Sequence, residues 1–291
     1  MSATKHVTFI GLGSMGTALA TLLLKDNYRV TVWNRSPEKA RVLVELGATR
    51  LDDPAEAIQR SDVVVVCVTN YESARSVLRD TGVEQALSGK TLIQLSTGTP
   101  LDATEDEAWA RAKGIGYVDG AIMVTPSQMG SAEAVILASA EPELFAQVEP
   151  VLKILAPNTV FTGAKASAAS ALDLAFLSYF FSALIGFAHA ARICEAEGLD
   201  IQGFGAMIRD WSPAIGTIMQ QCSVAIAADK YANTQSSLET CYHGLELIAR
   251  QAREAQVSRA LPDFATALFK AGMSQGLAKE DGAAIFKVLA A

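Results

Sequence analysis

Residues Val7 to Gly16 read Val-Thr-Phe-Ile-Gly-Leu-Gly-Ser-Met-Gly, an apolar run that meets three glycines spaced Gly11-x-Gly13-x-x-Gly16. Thr17 to Leu24 then carries apolar residues at helical spacing. Strand, tight turn and helix in direct succession leave few folds open to such a chain. Each glycine has a task. Gly11 takes the backbone angles of the turn, Gly13 lets the main chain approach a pyrophosphate, and Gly16 lets the helix pack closely on the strand. With Leu12, Ser14 and Met15 between them, they open a helix whose N-terminus offers free N–H groups and partial positive charge to phosphates. The segment predicts a dinucleotide site.

The end of the second strand predicts which dinucleotide. Arg29 to Trp33 reads as that strand, and Asn34-Arg35-Ser36-Pro37 follows it. A cofactor with a free ribose 2′-hydroxyl usually meets an Asp or Glu about 20 residues beyond the glycines. Here the position holds the uncharged Asn34. Arg35 suits a phosphate by its planar guanidinium, Ser36 adds a hydroxyl, and Lys39 adds a second positive charge in the first turn of the next helix. The expected cofactor is NADPH.

With 291 residues the chain has room for two domains at about 150 residues each. A net charge of −7 argues against nucleic acid. Cys67, Cys194, Cys222 and Cys241 lack the spacing of a metal or redox site. Cys67 lies in a Val-rich run where a small buried side chain is expected. No metal site is expected, and no secretory signal is visible. Leu174 to Ala191 carries no formal charge, which approaches the length of a membrane span. It contains Ser178, Ser182, Gly186 and His189, and no second span accompanies it. The expectation is therefore a soluble cytoplasmic protein in which this helix is covered by core or by an oligomer interface.

Candidate strands are Val7–Ile10, Arg29–Trp33, Val63–Val68, Thr91–Leu95, Gly116–Asp119, Ala134–Ala138 and Thr159–Phe161. Strands alternating with helical patterns predict an α/β, doubly wound, parallel sheet. Strand signals stop after Gly163. A long apolar helix is expected over residues 165–197, followed by helices over Ile201–Arg209, Pro213–Ala228, Ser237–Ala255 and Pro262–Ser274, with a short one at the end. The reading divides the chain into residues 1–163, a dinucleotide-binding domain, and 164–291, an all-α domain that begins with the long interdomain helix. So apolar a helix has too little sequence to cover it within one chain. That favours a homodimer.

Ligands of open α/β sheets lie at the carboxyl ends of the strands. Val68-Thr69-Asn70, Ser96 to Pro100 and Ala121 to Pro126 fall at such ends. Thr97 suits either a ligand or a turn, and Thr99 suits a helix cap as well. On the long helix, Asp173 adjoins the apolar run, where burial would raise its pKa and suit it to proton donation. The same spacing also fits a solvated aspartate at a helix end. His189 reads as a structural histidine, and His243 as a secondary candidate beside Tyr242.

These residues together resemble the β-hydroxyacid dehydrogenase and 6-phosphogluconate dehydrogenase superfamily, and within it the imine reductases and reductive aminases. The segments that carry the resemblance are Gly11-Leu-Gly-Ser-Met-Gly16, Trp33-Asn-Arg-Ser36, Leu95-Ser-Thr-Gly-Thr-Pro100, Gly120-Ala-Ile-Met-Val-Thr-Pro126 and Ala169-Ser-Ala-Leu-Asp-Leu-Ala175. The resemblance implies an N-terminal Rossmann domain, an interdomain helix and a helical domain that forms the dimer through interlocked C-terminal helices. The hydroxyacid enzymes carry a catalytic Lys near the place where this chain has Asp173, and an acid there suits proton delivery to nitrogen. The implied reaction is hydride transfer from NADPH to an imine carbon, with Asp173 protonating the nitrogen or stabilising the iminium. The implied pocket walls are Met123, Val124, Phe181, Trp211, Met219 and Tyr242, around a small apolar imine. Many reductive aminases have Tyr where this chain has Phe181, and some have Asn at Thr97. Both departures favour preformed imines over coupling of free ketone and amine. The competing readings are a 3-hydroxyacid dehydrogenase and a non-catalytic NADP(H)-binding protein.

Overall fold

The structure is a computed structural model and describes residues 5–232 and 236–290. The chain divides into two compact units, Met1–Ser178 and Tyr179–Ala291. The first is built on eight strands: β1 (His6–Ile10), β2 (Arg29–Trp33), β3 (Thr49–Arg50), β4 (Val63–Val66), β5 (Thr91–Gln94), β6 (Gly116–Ile122), β7 (Val135–Ser139) and β8 (Asn158–Gly163). They form one sheet in the order β3-β2-β1-β4-β5-β6-β7-β8.

Successive side chains of a strand point to opposite faces, so a strand covered on both must be apolar throughout. Val65 packs on one face with Phe9, Leu19 and Leu23 of α1 (Ser14–Lys25). Val64 and Val66 pack on the other with Ile10, Ile58 and Leu78. The remaining helices of this unit are α2 (Arg41–Glu45), α3 (Pro54–Gln59), α4 (Tyr71–Leu78), α5 (Thr81–Leu87), α6 (Pro100–Ala112) and α7 (Pro142–Leu155). Helix α7 sends Val148 and Leu152 to the same face as α1, while α3, α4 and α5 cover the opposite one through Ile58, Leu78 and Leu87. The sheet is doubly wound, as its sequence predicts.

Several details differ from the sequence reading. β3 has only two residues, both exposed, too short for a periodic signal. β4 ends at Val66 rather than Val68, because the Val68 amide donates to the Ser96 side chain (3.0 Å) instead of a neighbouring strand. β6 continues to Ile122 and pairs antiparallel with β7. The segment between them holds the 3₁₀ turn Pro126–Gln128 and no α-helix of the kind that usually carries a parallel crossover.

The division between the units falls inside α8 (Ser167–Ala196). The second unit continues with α9 (Ile201–Ala228), α10 (Leu238–Glu254), α11 (Ala260–Ser274) and α12 (Ile285–Val288). α9 is one helix where the sequence reading breaks it before Pro213. Proline removes only one backbone hydrogen bond, the one residue 213 would donate to the Arg209 carbonyl, and the helix runs on through it. Tyr231, Leu238, Leu277, Ala283 and Ala284 form a small core. Only 6% of the most apolar window of α8 is buried within the chain.

Candidate active site

The dinucleotide loop is held together by contacts that leave its phosphate side bare. Gly11 has a φ of 99°, and a Cβ there would lie 2.4 Å from the Cys67 carbonyl oxygen. At Gly16 a Cβ would meet the Gly11 oxygen at 2.2 Å, whereas Gly13 faces open space. Gly13 caps α1 without a side-chain hydrogen bond, and the first turn, from Ser14, carries no acid. Its amides are therefore left for an anion.

Asn34 braces this loop. Its Oδ1 accepts from the Leu12 amide (2.9 Å) and its Nδ2 donates to the Ser36 carbonyl (2.9 Å). Both polar ends are engaged by the chain itself, so an acid at this position would lose the second bond. Arg35 and Lys39 are exposed and carry no ion pair among the described residues. With the Ser36 hydroxyl, which makes no capping bond, they form a basic corner of the kind a 2′-phosphate requires. The residues present fit NADPH.

A cleft of about 170 Å³ opens at the carboxyl ends of β4, β5 and β6. Met15 borders it from α1, Cys67 and Val68 from beyond β4, Leu95, Ser96 and Thr97 from beyond β5, and Gly120, Ala121 and Ile122 from β6. Asp173 of α8 closes the ring. Seven residues that the sequence reading singles out thus meet here: Met15, Val68, Ser96, Thr97, Ala121, Ile122 and Asp173. Thr69 lies just past Val68 and is exposed. Met123 and Val124 follow Ile122 and are half-buried, Val124 against the core. Thr99 is a cap: it forms a reciprocal capping box with Asp102 at the start of α6.

Asp173 is 7% exposed. It has no hydrogen-bond or ion-pair partner among the described residues, and burial alone pushes its carboxyl pKa up. The solvated helix-end alternative is excluded by that burial. The neighbouring Cys67 thiol is pushed up to about 12 by desolvation, so it is inert as a nucleophile near neutrality.

The remaining residues singled out lie in the helical unit. Phe181 on α8 and Trp211 and Met219 on α9 are exposed within the chain. Tyr242 on α10 donates its hydroxyl to Glu246 Oε1 (2.7 Å), and His243 Nδ1 lies 3.2 Å from the same carboxylate. His189 Nε2 lies 3.0 Å from the Ser258 carbonyl, which gives it a structural partner.

Residues 6–163 match the NAD binding domain of 6-phosphogluconate dehydrogenase, and residues 165–291 match the NADPH-dependent reductive aminase-like C-terminal domain. The NADPH-dependent reductive aminase of Aspergillus oryzae is 33% identical over 98% of this chain and 97% of its own. The imine reductase from Myxococcus stipitatus, solved in complex with NADP+, superposes with a TM-score of 0.92 at 34% identity, over 98% of this chain and 100% of that one. A reductive aminase from Aspergillus terreus, solved with NADPH4, cyclohexanone and allyl amine, gives 0.90 at 31%, over 99% and 100%. The chain belongs to the imine reductase and reductive aminase family.

Within this family member the sequence reading misses Cys67, Leu95 and Gly120 as cleft residues: Cys67 reads as strand interior, and Leu95 and Gly120 carry no chemical signature of their own. Their one available signal was position at a strand's carboxyl end. Asp119 was also missed. Although buried, it accepts from Tyr71 Oη and from Ser170 Oγ (2.5 Å), and burial raises its pKa to about 6.

Proposed function

We propose that this protein is an NADPH-dependent imine reductase in which Asp173 serves the nitrogen of the substrate. The carrying observation is that buried, partnerless carboxyl at the rim of a cleft whose other walls are strand ends and the glycine-loop helix. When bound, NADPH supplies the hydride that reduces the imine carbon. The glycine loop and the amides of α1 hold its pyrophosphate, and Arg35, Ser36 and Lys39 hold its 2′-phosphate. Val68, Thr69 and Thr97 are the residues that would receive its nicotinamide end. Desolvation keeps a proton on Asp173 to higher pH than on a solvated aspartate, so it can protonate the imine nitrogen. Once ionised, it stabilises the iminium cation.

A cleft of about 170 Å³ is smaller than the roughly 300–1,000 Å³ of most small-molecule sites. We assign the missing walls to a second copy of the chain, through Phe181, Trp211, Met219 and Tyr242, with Met123 and Val124 on the sheet side. Exposed Phe176, Phe180, Leu184 and Ile185 on α8 and Ile218 and Val224 on α9 are the surface that such a homodimer would cover. A large contiguous apolar surface of this kind marks an interface. Covered by protein in this way, α8 needs no bilayer, in keeping with a cytoplasmic enzyme. The apolar and aromatic walls assigned to the second copy suit a small apolar imine better than an acid or a sugar phosphate.

The test pairs two assays: NADPH oxidation with a preformed cyclic imine, and NADP+ reduction with 3-hydroxyisobutyrate. Turnover in the first alone supports imine reduction. Turnover in the second alone would transfer the protein to the hydroxyacid dehydrogenases. Tight NADPH binding with no turnover in either would favour a binding protein.

A further inference from the structure

The first turn of α8 is fastened to the sheet by side chains from two strands. Asp119 on β6 and Ser139 on β7 face each other in register across the antiparallel pair. Ser139 Oγ accepts from the Ala169 amide (2.8 Å), and Asp119 Oδ2 accepts from the next amide, Ser170 (3.2 Å). The Ser170 hydroxyl also donates to Oδ2 (2.5 Å), while Tyr71 Oη of α4 donates to Oδ1. Tyr117 Oη donates in turn to Tyr71 Oη (3.3 Å). Asp119, Ser139 and Ser170 are all buried. A carboxylate on the amides of a helix's first turn also complements the helix dipole. Asp173 follows Ser170 by three residues and therefore lies on the same side of α8, one turn along.

We propose that Asp119 is a positioning residue for the reaction: through Ser170, and paired with Ser139, it fixes the opening turn of α8 and thereby sets where the Asp173 carboxyl meets the substrate nitrogen. The assignment rests on the imine-reductase reading of the cleft. It also gives the buried Tyr71–Tyr117 pair a purpose, since Tyr71 holds the outer oxygen of Asp119 so that the other stays on Ser170. Gly98 is part of the same arrangement. A Cβ there would stand 2.2 Å from the Tyr71 ring, so only glycine lets that ring reach Asp119.

The groups facing Asp119 are Tyr71 from α4, Ser170 and Asp173 from α8, and Tyr117 through Tyr71; the strand neighbours Gln94 and Ser139 do not titrate. Negative charge on Asp173 opposes ionisation of Asp119.

The experiment compares Asp119→Ala and Asp119→Asn with wild type. It measures kcat and KM with 2-methyl-1-pyrroline, NADPH Kd by fluorescence, and amide exchange over residues 167–175. Misplacement of a reacting group by about 1 Å can cost about a hundredfold in rate. The expected result for Asp119→Ala is a kcat lower by about tenfold or more, with NADPH Kd within about twofold and faster exchange over the first turn of α8. Asp119→Asn keeps an acceptor for Ser170 and a donor for Tyr71, and it should recover most of that loss. In Asp119→Ala the loss should fall on kcat and not on KM, and its recovery in Asp119→Asn is a rescue that a merely structural role would not give. Should Asp119→Ala fail to fold, Ser170→Ala, which removes the hydroxyl bond to Asp119, takes its place, with kcat lowered and NADPH Kd within about twofold. An unchanged kcat in whichever of the two folds, or no recovery in Asp119→Asn, overturns the assignment. Wild type that reduces no imine would overturn the functional reading and this assignment with it. Wild-type turnover with an indifferent Asp119 overturns the assignment alone.

Discussion

At the scale of single residues, environment more than identity sets the chemistry of this chain. Asp173 and Asp119 are both buried carboxyls, yet among the described residues the first has no hydrogen-bond or ion-pair partner and the second has three donors. The first is available to a ligand, and the second is committed to the fold. Burial raises the Asp119 pKa from its ordinary 3.8 to about 6. The folded protein then holds a proton that the unfolded chain has released between those values, so stability falls as pH rises across that window. Denaturant unfolding of wild type should show this loss between about pH 4 and 6, and Asp119→Asn should flatten it. At the other end of the cofactor site, Arg35→Ala removes a charge-assisted contact worth about 1.5–3 kcal/mol. NADPH Kd should then rise roughly 10- to 100-fold while NADH binding is unchanged. Equal weakening of both cofactors would remove Arg35 from the 2′-phosphate site. These residues differ in how far sequence alone reveals them. Gly11, Arg35 and Asp173 announce themselves by motif and by charge beside an apolar run. Asp119 does not, because its role depends on the Ser170 amide, 51 residues away in the chain.

At the scale of elements, the boundaries that matter are set by side chains reaching the backbone. The capping box of Thr99 and Asp102 fixes where α6 begins, immediately after the Ser96–Thr97 cleft segment. Thr99→Ala should cost about 1 kcal/mol. Thermal unfolding should show a Tm lower by a few degrees, with NADPH affinity little changed. A large loss of affinity would give Thr99 a direct role at the ligand. Strand and helix existence was legible from pattern, since β1 is a largely apolar run, β4 an unbroken one, and α1 carries apolar residues at helical spacing, although the end of β4 was not. The antiparallel turn of β7 was not, because orientation depends on the length and content of the connection rather than on any residue in the strand. Nor was the continuity of α9 through Pro213, because a proline that costs a long helix one hydrogen bond reads in sequence like one that ends it.

At the scale of the whole molecule, the apolar rows on α8 and α9 require a covering surface. Tyr179, Phe181, Leu184 and Ile185 are each more than half exposed in the single chain. The account predicts a solution mass of twice the 30.7 kDa chain by light scattering, without detergent. An Ile185→Asp substitution, placing charge on that surface, should shift the mass toward monomer and lower activity with it. A wild-type monomer with full activity would show that one chain completes the site.

Whether Asp173 serves the nitrogen of an imine is decided by steady-state reduction of 2-methyl-1-pyrroline by wild type and Asp173→Asn. General acid catalysis of this kind typically contributes about 100- to 10,000-fold. The expected result is NADPH-dependent turnover by wild type, a kcat reduced by about a hundredfold or more in the variant, and equal NADPH binding by the two. An Asp173→Asn enzyme that turns over at the wild-type rate would contradict it.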